Sequence, residues 1–159
     1  MTDAKHFDLF EPEFIAGLAD IFEEKIVFNR LLGLKITALQ ADCVTARIAM
    51  RPDFIGHFSH QRLHGGVISA CMDAVGALAV MAVIGLKHPS ESPMQRLQRF
   101  NRLGTIDLRV DYLRPGTGPF FTLRAEVTRL GSRVANTRME FFASDGVLLS
   151  TGAAVYIVS

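Results

Sequence analysis

Residues 67–84 dominate the choice of fold, because this segment is almost entirely apolar. Its length is close to the ~20 residues that a membrane-spanning helix needs. Ser69 and Asp73 interrupt it, however, and an aspartate at mid-membrane costs at least ~2.5 kcal/mol. A helix that is apolar on all sides must be surrounded by protein or lipid. We therefore predict a helix buried inside a folded domain, and no membrane span.

The composition of the chain is that of one ordinary domain. Its 159 residues are 49% hydrophobic, which suits a single domain over residues 1–159 with a substantial core. The 17 basic and 16 acidic residues give a net charge of +1, without the basic excess of nucleic-acid-binding proteins, so no nucleic-acid partner is predicted. Cys43 and Cys71 are too few for a disulfide framework. Together with an N-terminus that lacks a signal-peptide pattern, they favour a cytoplasmic location.

Hydrophobic periodicity predicts the remaining elements. Residues 11–28 carry apolar side chains at helical spacing, which predicts one amphipathic helix within an N-terminal helical segment, residues 1–30, that packs on the domain. Residues 34–50 should be extended with a turn near 40–42, residues 51–63 a loop, and residues 94–103 a short helix. Four strands follow between residues 105 and 158, and their short connections make them mostly antiparallel.

The strands and the apolar helix need each other as packing partners. In the first of these four predicted strands, one face is apolar and consists of Ile106, Leu108, Val110 and Tyr112. Such half-buried strands must cover their apolar face with another layer, and the helix needs cover on all sides. The economical solution is an α+β fold in which a curved antiparallel β-sheet wraps around a long apolar central helix.

Two segments of the chain resemble a known enzyme family. Residues 63–76, LHGGVISACMDAVG, resemble the central-helix motif of PaaI-type hotdog-fold acyl-CoA thioesterases, in which an acidic residue follows a His-Gly-Gly two turns along. Residues 104–116, GTIDLRVDYLRPG, resemble the matching strand of the YigI-like branch, which hydrolyses medium- and long-chain acyl-CoA. The likeness extends over roughly residues 28–158.

The resemblance implies a hotdog fold, an acyl-CoA hydrolase activity without a cofactor, and a homodimer or a homotetramer built as a dimer of dimers. It also implies that CoA binds at the subunit interface. Two positions depart from the pattern. His57 stands where the branch usually has an asparagine, and Ala77 stands where some relatives have a hydroxyl one turn after the acid. The hydroxyl is therefore missing or comes from elsewhere.

The motif residues suit thioester hydrolysis. Free N–H groups at a helix start carry partial positive charge, and by the resemblance the Gly65 N–H is the predicted oxyanion donor. Asp73 is the only charged residue between His64 and Lys87, and we predict it to be the general base or the nucleophile; the sequence leaves both roles open. His64 is predicted to position the loop or cap the helix, with direct catalysis as an alternative. His57 either donates a hydrogen bond at the site or is a surface histidine.

CoA carries phosphates that suit arginine. The predicted contacts with the CoA moiety lie at the helix start and at two turns, and they are Gly66, Arg114, Gly131, Ser132 and Arg133. The alternative is that the two arginines are solvated turn residues. For the acyl chain, candidate apolar neighbours are Phe54, Phe58, Met72 and Met81.

Other interpretations of the same residues are weaker. His57, His60 and His64 could hold zinc, but no cysteine or carboxylate lies near them in the sequence, and no metal site is predicted. His57 with Asp73 could serve a hotdog hydratase or dehydratase acting on hydroxyacyl or enoyl thioesters. A non-catalytic acyl-CoA-binding protein would keep the pocket and lose the acid. Cys71 is expected to lie in the core.

Helix geometry predicts a shared site. Gly65 and Asp73 are eight residues apart, which is ~12 Å along a helix. A catalytic acid and an oxyanion donor must each lie ~3 Å from the same reacting group. One helix therefore cannot supply both, and we predict a homodimer in which Gly65 of one subunit meets Asp73 of the other.

Overall fold

The computed structural model describes residues 9–159. Residues 1–8 lie outside this range, and with them the start of the predicted N-terminal segment and the expected absence of a signal peptide. The helical elements are α1 (Pro12–Ala19), a π-helical segment (Asp20–Lys25), α2 (Val27–Leu32), α3 (Gly65–Lys87), α4 (Pro93–Gln98) and short 3-10 turns at Pro52–Phe54, Phe58–His60 and Arg99–Arg102. The strands are β1 (Lys35–Leu39), β2 (Val44–Ala49), β3 (Ile55–His57), β4 (Arg62–Leu63), β5 (Gly104–Tyr112), β6 (Phe120–Leu130), β7 (Val134–Ala143) and β8 (Leu148–Ile157).

One six-stranded sheet wraps around α3. Its order is β1-β2-β6-β7-β8-β5, and every neighbouring pair is antiparallel. The central helix contacts β2, β5, β6, β7 and β8. The predicted α+β fold, a curved antiparallel sheet around a long apolar helix in the hotdog arrangement, is confirmed. The strand β5 lies at one edge of the sheet, so one side of its backbone has no neighbouring strand within residues 9–159.

Burial explains why α3 is so apolar. Among the described helices, α3 alone is long and apolar enough to cross a membrane, with a mean hydropathy of 2.2, but 67% of that window is buried inside the protein. Ile68, Met72, Val75 and Leu78 are among its core residues. The sheet, and not lipid, therefore covers most of this helix.

The predicted single helix over residues 11–28 is wrong, because the chain breaks at Ile26. The Ile26 N–H donates to the Ile21 carbonyl, five residues earlier, and Ile26 then takes an extended conformation with φ −73° and ψ 96°. Phe14 and Phe22 are fully buried as the periodicity predicts. Phe28, which follows the break, is 56% exposed, since α2 no longer continues the axis of α1.

The predicted alternation of β5 is wrong at Ile106. Thr105 pairs with Tyr156 and Asp107 with Val155, so Ile106 is an extra residue in a β-bulge. A bulge changes the face on which the following side chains lie. Ile106 is consequently 57% exposed, while Thr105 shares the inner face with the buried Tyr156.

The helix α4 joins the N-terminal helices to the end of α3. A capping box between Ser92 and Gln95 begins it. The buried Arg96 donates to the Gly85 carbonyl at 3.1 Å and to Glu11 at 2.6 Å. These charge-assisted bonds hold three helices together.

Candidate active site

The start of α3 leaves one backbone donor free. His64 is the N-cap, and its Nδ1 accepts a hydrogen bond from the Gly66 N–H at 2.8 Å. This acceptor role places the ring proton of neutral His64 on Nε2. Among residues 9–159, no protein acceptor takes the Gly65 N–H. Gly65 can therefore donate to a ligand, whereas a ligand reaching the Gly66 N–H would have to displace His64.

Two side chains approach the glycines closely. Tyr112 donates from its hydroxyl to the Gly65 carbonyl at 2.9 Å. A Cβ on Gly65 would lie 3.1 Å from the Tyr112 ring, and one on Gly66 would lie 2.9 Å from His64 Nδ1. A Cβ on Gly66 would require His64 to shift, whereas one on Gly65 would move the Tyr112 ring by only a few tenths of an ångström.

An open cleft of about 470 Å³ lies in front of this helix start. It brings together four of the predicted site residues, His57, His64, Gly65 and Arg114, with Arg62 beside them. Arg114 donates to the Leu148 carbonyl at 2.9 Å, which fixes its guanidinium at the edge of the cleft. The cleft thus combines a free backbone donor with two cationic side chains.

Asp73 lies outside this cleft and has its own hydroxyl partner. Its Oδ1 accepts a hydrogen bond from Thr105 Oγ1 at 2.8 Å, and its backbone carbonyl accepts one from the Tyr156 hydroxyl at 2.8 Å. Burial, reinforced by the nearby Asp73 carboxylate, raises the pKa of Tyr156 above its ordinary value. The hydroxyl that the motif lacks at Ala77 is supplied by Thr105, which the sequence did not reveal because the bulge in β5 places it there.

Asp73 belongs to the one side of α3 that the sheet leaves partly open. This stripe consists of small residues around the acid, and its members are Gly66, Ser69, Ala70, Asp73 and Ala77. The edge strand β5 contacts α3 beside this stripe, through Tyr112 at Gly65, and on it, through Thr105 at Asp73. The open stripe therefore lies beside the strand that forms the edge of the sheet within residues 9–159.

The remaining predicted residues lie at the far end of α3. The turn of Gly131, Ser132 and Arg133 follows Leu130, whose carbonyl accepts from Lys87 at 3.4 Å. The Arg133 carbonyl accepts from the Val158 N–H at 2.9 Å. Within one chain this turn does not meet Arg114, and Asp73 does not meet His57.

Cys71 and the three histidines were the other candidates for chemistry in the sequence. Burial raises the pKa of the Cys71 thiol to about 12, so Cys71 is a protonated core residue at neutral pH. The rings of His57 and His60 lie 4.8 Å apart between centroids, and His64 Nδ1 is engaged by Gly66. Over residues 9–159, no three potential ligand side chains converge as a metal site would require.

Comparison with known proteins identifies close relatives. The family model described as "Thioesterase superfamily" matches residues 60–150. The medium/long-chain acyl-CoA thioesterase YigI of Salmonella typhimurium is 34% identical over 89% of this chain and 91% of its own length, and that of Escherichia coli K12 is 33% identical over the same shares. A Shewanella oneidensis protein related to the thioesterase superfamily superposes with a TM-score of 0.85 at 38% identity, over 94% of this chain and 100% of that one.

A more distant structure shares the fold. The Escherichia coli PaaI protein superposes with a TM-score of 0.72 at 15% identity, over 92% of this chain and 94% of its own. The matched region of the family model covers more than half of the chain and contains both α3 and the strand that carries Thr105. Because the fold, the helix motif and these matches agree, the chain belongs to the thioesterase superfamily.

Proposed function

We propose that the protein hydrolyses medium- to long-chain acyl-CoA to the free acid and CoA. The observation that carries the proposal is a free Gly65 N–H at the start of the same helix that presents Asp73, whose carboxylate is held by Thr105. The relatives named medium/long-chain acyl-CoA thioesterase, at 33–34% identity, support this substrate class.

In the proposed reaction, the thioester oxygen accepts a hydrogen bond from the Gly65 N–H. One such donor is worth ~3–4 kcal/mol as negative charge develops on that oxygen. Thr105 engages Oδ1 of Asp73, which leaves Oδ2 without a donor in the described chain and free to act. As a general base it takes a proton from water while the water oxygen attacks the carbonyl carbon. The C–S bond then breaks, and the sulfur of CoA leaves and is protonated.

Asp73 could instead attack the carbonyl carbon directly. That step forms an acyl anhydride and releases CoA thiol, and water then hydrolyses the anhydride. Both routes use the same two groups. In a single turnover in ¹⁸O-water, ¹⁸O found in Asp73 would identify the anhydride route, because water that attacks the Asp73 carbonyl of the anhydride labels the protein and the general-base route never does.

The site is proposed to be shared between two copies. Along α3, Gly65 and Asp73 are eight residues apart, or ~12 Å, too far for one carbonyl. Within residues 9–159 the edge strand β5 has a free side, and it exposes Ile106, with the exposed Leu113 directly after its end. Antiparallel pairing of two such edges about a two-fold axis would exchange their ends and bring Asp73 of one copy toward Gly65 of the other. A tetramer would be a dimer of such dimers.

The same symmetry would assemble the CoA site. Exchanging the ends of α3 carries the turn of Gly131, Ser132 and Arg133 toward the cleft that holds Arg114 in the other copy. Neither arginine has an acidic partner among the described salt bridges. Both remain available for phosphate, which arginine binds through two parallel N–H donors.

Release of free thiol from acyl-CoA esters of graded length tests the activity. Asp73→Asn keeps the side-chain volume and removes the carboxylate, so the rate should fall nearly to zero with the fold intact by circular dichroism. Retention of more than about a tenth of the rate, a loss of only ~1.4 kcal/mol, would exclude Asp73 as the central group. Activity should also survive exhaustive chelation, since no metal is proposed; loss restored by zinc would reverse that.

Gly65→Pro tests the oxyanion donor and the sharing of the site together. Proline suits the first position of a helix, and His64 already has the extended conformation that a following proline requires. Gly65→Ala is the matched control, because it keeps the N–H and adds only a Cβ 3.1 Å from Tyr112. Mixing inactive Gly65→Pro and Asp73→Asn proteins should restore one intact site per hybrid dimer. Zero activity after demonstrated subunit exchange would refute sharing.

A cytoplasmic location is part of the proposal. Cys43 and Cys71 are both buried free thiols, which fits a reducing compartment. Fractionation of the host cell with a thiol-release assay on each fraction tests it.

A further inference from the structure

The residues first considered for the acyl chain have no room for one. Met72 and Met81 are fully buried in the packed core and Phe54 nearly so. Phe58, by contrast, is 82% exposed on the loop before α3. Interiors packed at crystal-like density leave no space for a hydrocarbon chain between such side chains. A medium or long acyl chain therefore requires an apolar surface elsewhere.

We infer that the distal part of the acyl chain binds in a groove between the N-terminal helices and α4, an inference that rests on the proposed function. This tail groove, of about 420 Å³, is lined mainly by apolar groups, namely Ile21, Ile26, Met94, Leu97 and Phe100. Its volume lies in the range of ~300–1,000 Å³ that is typical of small-molecule sites. It is the place where the predicted single helix breaks and becomes π-helical, and π-helical turns occur often at functional sites.

A short stretch of chain joins the tail groove to the residue that holds the catalytic acid. The 3-10 turn Arg99–Arg102, which supplies Phe100 and Asn101 to the groove, leads directly into β5 and Thr105. Asn101 and Thr105 are four positions apart in the chain, so the two lie at most about 14 Å apart. A long acyl chain covers such a distance and a short one does not.

The open stripe of α3 provides a path from Asp73. One turn beyond the acid, the stripe continues with Ala77, which is partly exposed and has no side chain beyond Cβ. After Ala77 the helix is almost wholly buried, and α4 is one of the elements packed against it. An acyl chain that extends from the thioester along this stripe would therefore run toward the 3-10 turn and α4.

The charges around the tail groove suit hydrocarbon and not phosphate. Asp20 and Lys25, the two charged residues that line it, form an ion pair with each other at 2.6 Å. The Phe100 ring is fixed edge-on against the buried Phe22 at 5.6 Å. Met94 is 64% exposed, and a flexible thioether is well suited to contact chains of different length.

The groove should make the enzyme select for chain length. Each methylene that reaches it is expected to raise kcat/KM by up to about fourfold, which corresponds to ~0.8 kcal/mol. Met94→Glu places a charge on the groove wall at an exposed position. The ratio of kcat/KM for dodecanoyl-CoA to that for butanoyl-CoA should then fall about tenfold, the equivalent of fewer than two buried methylenes.

Val27→Glu is the matched control, because Val27 is 65% exposed on the adjacent α2 and does not line the groove. It should leave the ratio unchanged. An unchanged ratio in Met94→Glu, or an equal fall in both variants, overturns the inference. If the unaltered protein releases thiol from no acyl-CoA, the proposed function fails and the inference falls with it, a result distinct from an active enzyme with an unaltered ratio.

Photolabelling locates the chain end directly. Dodecanoyl-CoA with a diazirine at its terminal carbon is bound to the Asp73→Asn protein, which holds the ester uncleaved, and the labelled peptide is found by mass spectrometry. Labels in residues 17–26 or 94–101 are the expected result. Labels confined to residues 56–65 or 112–116, which line the cleft at the start of α3, would overturn it.

Discussion

Replacing Thr105 by valine removes the hydroxyl that holds Asp73 while keeping the shape of the side chain. The bond from Thr105 Oγ1 to Asp73 Oδ1 is 2.8 Å long. A hydrogen bond to a charged group contributes ~1.5–3 kcal/mol, and since this one is solvent-exposed in the single chain we take the lower end. Loss of ~1.5 kcal/mol in the transition state lowers kcat about tenfold. Thr105 is a positioning residue, because it acts through Asp73.

The assay is thiol release from a medium-chain acyl-CoA, with kcat and KM measured separately. The Thr105→Val variant should lower kcat with KM nearly constant, because the CoA and acyl contacts are untouched. Thr105→Ser restores the donor and should restore most of kcat. Thr128→Val is the control, since the Thr128 hydroxyl donates only to the Asn136 carbonyl on a neighbouring strand, at 3.1 Å. A kcat within twofold of the original in Thr105→Val, or a serine variant no better than valine, would refute the positioning role.

Three further outcomes are expected. Arg133→Ala should raise KM for acyl-CoA more than it lowers kcat, with little effect on a short thioester that lacks the nucleotide; an equal effect on both substrates would remove Arg133 from the site. His64→Ala should cost ~1 kcal/mol in urea unfolding and His64→Asn less, because asparagine is also a good N-cap. The raised pKa of Tyr156 means that the folded protein keeps a proton which the unfolded chain loses above its ordinary value of 10.0. Stability is thus unaffected by this group below pH 10 and falls as pH rises beyond it, and Tyr156→Phe should flatten that fall; an unchanged alkaline slope would contradict it.

The sequence was sufficient for the layers of the fold. The apolar run contains Asp73, which makes it unsuited to lipid, and the segments that follow it alternate with period two and are joined by short turns. A sheet wrapped around a helix is the arrangement that buries the apolar faces of both. The turn between β1 and β2 and the start of α3 were also predicted, because turn residues and the His-Gly-Gly motif mark them locally. For the site, the motif predicts Gly65 and Asp73, because their spacing along one helix is itself a property of the sequence.

The periodicity of apolar residues did not predict the positions at which a helix or strand becomes irregular. The break at Ile26 and the bulge at Ile106 leave the apolar periodicity of the sequence intact, so neither could be seen in it. The bulge places Thr105 on the side of β5 that meets Asp73, and the break lies at the groove beside α4.

Contacts between distant segments set the rest. Thr105 meets Asp73 across 32 positions and Tyr112 meets Gly65 across 47, and such pairings depend on strand register, which the whole sheet fixes at once. The sequence therefore determined which groups could perform the chemistry and which layers would bury the chain. Their orientation, the open stripe on α3 and the β5 edge left unpaired within residues 9–159 arose only from packing, because each depends on what the rest of the molecule covers.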